Sequence, residues 1–152
     1  MSISKRIPAR ALLRSESGFS LIELLIVLVI IAILAGIAIP RYMSSTVKAK
    51  QTEAQELLRQ IYLMERTHFL SHDGYWIPSG STVASSDHPY AFDTIGVEIM
   101  KSARYRYTIQ GTRDRFVATA VAERLDDDPA VDKWQIDNTG ELRVVIDDAI
   151  AR

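Results

Sequence analysis

LIELLIVLVIIAILAGIAI, residues 21–39, decides how the rest of the chain is read. Its one charge is Glu23. At about 1.5 Å of rise per residue, a helix over this run reaches about 28 Å, close to the ~30 Å hydrocarbon core of a bilayer. Upstream, MSISKRIPARALLRSESG sets Lys5, Arg6, Arg10 and Arg14 against Glu16. Such a basic flank is expected to stay cytoplasmic and to send the downstream residues across the membrane. A secretory signal would place small residues for cleavage after the apolar run. Gly36-Ile37-Ala38 is a poor site of that kind, and the run is longer than a signal core.

The whole chain, 152 residues with 47% hydrophobic and 24% charged, has the size of one modest domain plus this apolar appendage. Lys and Arg (18) nearly cancel Asp and Glu (19), so the net charge of −1 favours neither nucleic acid nor an anionic surface as partner. The absence of cysteine excludes disulfides, a thiol nucleophile and thiolate metal centres.

Beyond the run, Pro40 has no donor for the carbonyl of Gly36, and Gly36 is itself a poor helix former. Residues 36–40 are therefore the weakest part of the helix, where a bend at the membrane surface or local melting is expected. From residue 41 the composition turns amphipathic. Leu57, Leu58, Ile61, Tyr62 and Met64 follow one broad helix face. One helix from about Phe19 to about Leu70 is predicted, ended by Ser71-His72-Asp73-Gly74. The turn-rich stretch from Tyr75 to about Met100 reads as a surface connection. Four strands follow: Tyr105, Tyr107 and Ile109 alternate with Arg104, Arg106 and Thr108, then come Phe116 to Val121, Lys133 to Asp137, and Leu142 to Ile146. Asn138-Thr139-Gly140 is a hairpin turn between the last two. The predicted fold is α+β, a long N-terminal helix whose amphipathic half packs on a small antiparallel sheet.

Gly18-Phe19-Ser20-Leu21-Ile22-Glu23, preceded by the basic leader and followed by the apolar run and Pro40, closely resembles the processing and assembly motif of type IV pilins and the related pseudopilins of type II secretion. The resemblance is specific through about residue 45 and architectural afterwards. It implies that residues 1–18 are a leader, cut between Gly18 and Phe19 by a membrane-embedded prepilin peptidase that then N-methylates the Phe19 amine. It further implies that residues 19–40 form a transmembrane and polymerisation helix, 41–73 its amphipathic half, and 74–152 the loop region and sheet. A carboxylate inside a bilayer costs about 2.5–3.5 kcal/mol, so Glu23 needs a partner. The new amine at Phe19 lies four residues away on the same helix face; the resemblance instead implies the Phe19 amine of a neighbouring subunit. A protonated carboxyl, or one at headgroup level, is the third reading.

The implied function is a structural subunit of a type IV pilus, held first in the inner membrane by lipid with its globular part on the periplasmic side, and then polymerised into an extracellular helical filament of identical chains. Its implied partners are the peptidase and the pilus or type II secretion assembly machinery. A pseudopilin of a periplasmic pseudopilus or a minor pilin is the nearest alternative, although the glycine-rich calcium-binding end of major pseudopilins is not recognisable here. A membrane-anchored periplasmic binding or sensor domain is the alternative from another class. No enzyme and no cofactor is expected. Ser71, His72, Asp73 and His88 have no HExxH motif and no triad spacing. Asp126, Asp127, Asp128 and Asp132 are oxygen ligands of the kind calcium takes, but without EF-hand spacing they read as a solvated loop. Many pilins tie their C-terminal region with a disulfide; without cysteine, the Trp134 hairpin here must hold by packing or by subunit contacts.

Overall fold

The computed structural model describes residues 18–80, 82–125 and 129–147. Helix α1 (Leu21–His72) is followed by a loop region with a short 3-10 turn, Asp93–Ile95, and by four strands: β1 (Arg106–Thr112), β2 (Arg115–Ala122), β3 (Asp132–Asp137) and β4 (Leu142–Ile146). The strands form one antiparallel sheet in sequence order. This is the α+β architecture that the hydrophobic patterning implies, and its long helix on an antiparallel sheet is the pilin-like fold that the resemblance implies. The chain divides into two compact units between Ala38 and Ile39.

The first unit holds the apolar part of α1, which is hydrophobic on every side and exposed on every side. Leu24, Ile30 and Leu34 stand 58%, 51% and 61% exposed. A helix of this kind is stable only in lipid or among other apolar helices. Residues 36–40 remain helical, with Pro40 inside the helix. Space around Gly36 is open: a Cβ there would meet nothing within 4 Å.

The second unit carries the core. Along α1, the buried positions are Val47, Gln51, Ala54, Leu58, Ile61 and Glu65. They alternate in steps of four and three, which is one narrow seam on a helix. Of the broad face expected from the sequence, Leu58 and Ile61 are buried, whereas Leu57, Tyr62 and Met64 flank the core and are only partly covered. Facing the seam are the inward residues of the sheet: Tyr107 and Ile109 from β1, Phe116, Ala118, Ala120 and Ala122 from β2, and Ile136 from β3.

Two expectations are corrected here. The stretch 75–100 is not merely a surface connection, because Ala84, Phe92, Ile95, Val97 and Ile99 are buried in the core. Ala84 also exchanges two backbone hydrogen bonds with Tyr107, at 2.9 and 2.8 Å, and so covers part of the free edge of β1. Ile95, Val97 and Ile99 alternate with exposed Gly96, Glu98 and Met100, but this strand-like run is short and the many turn residues before it dominate the sequence signal. Helix α1 also runs two residues past its expected end. Asp73 takes the left-handed conformation that stops it (φ 54°). The Asp73 carbonyl accepts a hydrogen bond from Arg113 Nε at 2.6 Å, and its carboxylate pairs with the same guanidinium.

Glu65 is fully buried on the seam. Its Oε2 accepts the Trp76 backbone N–H at 2.9 Å, while Oε1 has no partner among the described residues. Burial pushes its carboxyl up to about 7, against the opposing pull of that single hydrogen bond.

Candidate functional site

Gly18, Phe19 and Ser20 precede α1 in non-helical conformation, and all three are exposed. Among the described residues, no neighbour lies within 4 Å of a Cβ built at Gly18. Ser20 and Glu23 cap the helix reciprocally. The Ser20 backbone N–H and hydroxyl both donate to Glu23 Oε2 at 2.9 Å, and the Glu23 N–H donates back to Ser20 Oγ at 3.2 Å. This is the Ser-x-x-Glu capping box, which satisfies backbone donors that the first helical turn would otherwise leave unpaired. The Phe19 nitrogen is a peptide nitrogen in this structure, and Ser20 is the partner of Glu23. The sequence reading placed Glu23 opposite an amine and missed Ser20, although Ser20-Leu21-Ile22-Glu23 opening an apolar run is a recognisable capping signature.

Asp132, one of the four acidic candidates, is a core residue at the start of β3 with no exposed surface. The Tyr105 hydroxyl and Trp134 Nε1–H (2.8 Å) donate to its Oδ2, and Gln51 Nε2 donates to its Oδ1 at 3.3 Å. Gln51 Nε2 also donates to Asp147 Oδ1 at 2.9 Å. The solvated-loop reading is therefore corrected for Asp132, whose carboxylate meets hydrogen-bond donors. One amide on α1 ties together β3 and the chain after β4, which supplies by hydrogen bonds the anchoring that a disulfide would give. Asp126, Asp127 and Asp128 lie outside the described residues, as does the leader before Gly18. Among the described residues, no three His, Asp or Glu side chains form a group able to hold a metal ion.

The polar residues at the end of α1 do not form a triad. The Ser71 hydroxyl donates to the Thr67 carbonyl at 2.9 Å, and Asp73 is paired with Arg113. His88 lines a separate surface concavity with Asp87, Pro89 and Tyr90. His72 instead stacks on His68, with ring centroids 4.2 Å apart.

The family model described as the prokaryotic N-terminal methylation motif matches residues 13–39. That span includes Gly18, Phe19, Glu23 and Gly36. The chain is similar to the type IV major pilin protein PilA of Myxococcus xanthus, 45% identical over 58 residues, which are 38% of this chain and 26% of the relative. It is similar to a fimbrial protein of Neisseria meningitidis, 41% identical over 69 residues, covering 45% of this chain and 39% of the relative. A fimbrial protein of Pseudomonas aeruginosa is 50% identical over 42 residues, 28% of this chain and 27% of the relative. The matches span less than half the length of these curated relatives. No solved structure matches the chain.

Proposed function

We propose that this chain is a prepilin whose mature form is the structural subunit of a type IV pilus. The observation that carries the reading is the conjunction at the N-terminus. An exposed Gly18–Phe19 bond leads into a capped helix that is apolar and uncovered on every side, within the span that matches the methylation motif. Cleavage after Gly18 frees a cation at Phe19 beside Glu23, and methylation keeps that cation. Polymerisation then buries the apolar half of α1 against copies of itself. Glu23 has two oxygens; Ser20 occupies Oε2, which leaves Oε1 to receive the amine of an adjoining subunit. The relatives are named as major pilins and fimbrial proteins, which favours a pilus over a secretion pseudopilus. Before assembly the apolar half lies in the inner membrane, with residues 41–147 on the periplasmic side.

Mass spectrometry of sheared surface filaments tests this reading directly. The expected species begins at N-methylated Phe19 and lacks residues 1–18. Intact Met1, or cleavage after Ala38, would overturn it. Glu23→Ala separates assembly from processing: it removes a costly charge from lipid, so insertion and cleavage should proceed. Each interface in the filament would then contain an unpaired buried cation, at about 3–5 kcal/mol. Processed subunits should accumulate in the membrane with few or no filaments.

A further inference from the structure

The C-terminal turn of α1 carries two of the three histidines of the chain, His68 and His72, four residues apart on one helix face. Their rings are nearly parallel, 4.2 Å between centroids with planes inclined by 13°. Each Nδ1 meets a backbone carbonyl: His68 that of Gly74 at 2.9 Å, and His72 that of His68 at 3.3 Å. A carbonyl oxygen only accepts, so Nδ1 carries a proton in both rings, and the neutral tautomer that matches these contacts presents Nε2 as a lone pair. No hydrogen bond from another described residue occupies either Nε2. Metal-binding histidines are commonly held in this way, the second ring nitrogen donating to a carbonyl that fixes tautomer and orientation.

Both rings border one surface concavity of about 390 Å³, lined also by Asp93, Ser71 and Gly96. Asp93 brings a negative charge to that concavity, and its mouth is open to water. We propose that His68 and His72 chelate one divalent transition cation of the imidazole-preferring class (Zn²⁺, Ni²⁺ or Cu²⁺), with water completing the coordination. Imidazole pairs at i and i+4 suit these ions, whereas calcium and magnesium prefer oxygen. The two ring planes are nearly parallel, so their in-plane Nε2 lone pairs run side by side; chelation requires the rings to tilt until both lone pairs converge on one ion at about 2.0–2.1 Å. The site lies wholly in the second compact unit and does not depend on whether the chain polymerises. It exists because α1 continues to His72; a helix ending at Leu70 would not hold the two rings in register.

The test is an NMR titration of the untagged full chain in detergent micelles at pH 7.5, following the imidazole C–H signals as ZnCl₂ is added. His88, in its own concavity, is the internal control. The expected result is saturable shifts of His68 and His72 at one equivalent, with His88 unmoved. His72→Gln should weaken binding by at least about tenfold, the lower end of what loss of a mere supporting residue costs a metal site. His88→Gln should leave it unchanged, and MgCl₂ should shift none of the three. Equal shifts at all three histidines, or undiminished affinity in His72→Gln with the fold intact by circular dichroism, would overturn the site.

Discussion

Glu65 is a carboxylic acid set among apolar side chains with one hydrogen bond to hold it. Its folded-state pKa of about 7 lies above the ordinary 4.5. Between these values the folded chain keeps a proton that the unfolded chain has released, so stability falls as pH rises across that window. The contribution is complete below pH 4.5 and gone above pH 7, and amounts to about 3 kcal/mol for a shift of this size. Glu65→Gln keeps an oxygen for the Trp76 N–H and removes the titration. Thermal unfolding followed by Trp76 and Trp134 fluorescence should show the difference between parent and variant changing steadily from pH 4.5 to 7. The variant should be at least as stable as the parent at pH 8. A pH-independent difference would show that Glu65 carries its charge throughout.

Among the elements, the β1–β2 hairpin shows how a single backbone position limits what a sequence can hold. The turn is only Arg113-Asp114, because β1 continues through Thr112, which pairs with Arg115. Gly111 pairs with Phe116, and a Cβ at Gly111 would lie 2.2 Å from the Arg115 carbonyl oxygen and 2.7 Å from the Phe116 Cα. Both obstacles are backbone atoms, which no rotamer change can move. Gly111→Ala should cost about 2–3 kcal/mol, as overpacking does, and lower the melting temperature by roughly 10 °C. Gly36→Ala, on the open apolar helix, should instead leave the folded globular unit unaffected. The same melting curve checks both.

For the molecule as a whole, the question is how the last two strands stay in place without a disulfide. Tyr105, Trp134 and Gln51 converge on the Asp132 carboxylate, and Gln51 reaches on to Asp147. Asp132→Ala takes this acceptor from the Tyr105 hydroxyl and the half-buried Trp134 N–H, while Gln51 keeps its bond to Asp147. At about 1–3 kcal/mol per unsatisfied group, the loss should be on the order of 3–5 kcal/mol after partial relaxation. Asp132→Asn, with its amide oxygen turned toward Tyr105 and Trp134, keeps those two bonds and loses the one from Gln51, so it should fall between parent and alanine variant. Urea unfolding measures the series. Equal stability of all three chains would mean that apolar packing alone fixes the C-terminal strands.

Much of the architecture was legible because it rests on local periodicity. The run at 21–39 is apolar over every turn, Tyr105, Tyr107 and Ile109 alternate, and Asn138-Thr139-Gly140 sits between two strand patterns; each feature is decided by residues close together in the chain. The Gly18 to Glu23 motif was legible for the same reason, and so was the Ser20–Glu23 cap, had the three-residue spacing been weighed. Tertiary structure alone decided what depends on distant residues meeting. Arg113, forty residues on, clasps Asp73 at the point where α1 ends and His72 still faces His68. Phe92, Ile95, Val97 and Ile99 enter the core from a turn-rich loop with one short alternating run, 95–100, and their burial depends on the helix and sheet that receive them. Asp132 reads as a loop acid beside Asp128 until Tyr105, Trp134 and Gln51 surround it. A carboxylate's role follows from the donors that fold around it, and those donors are spread over more than eighty residues.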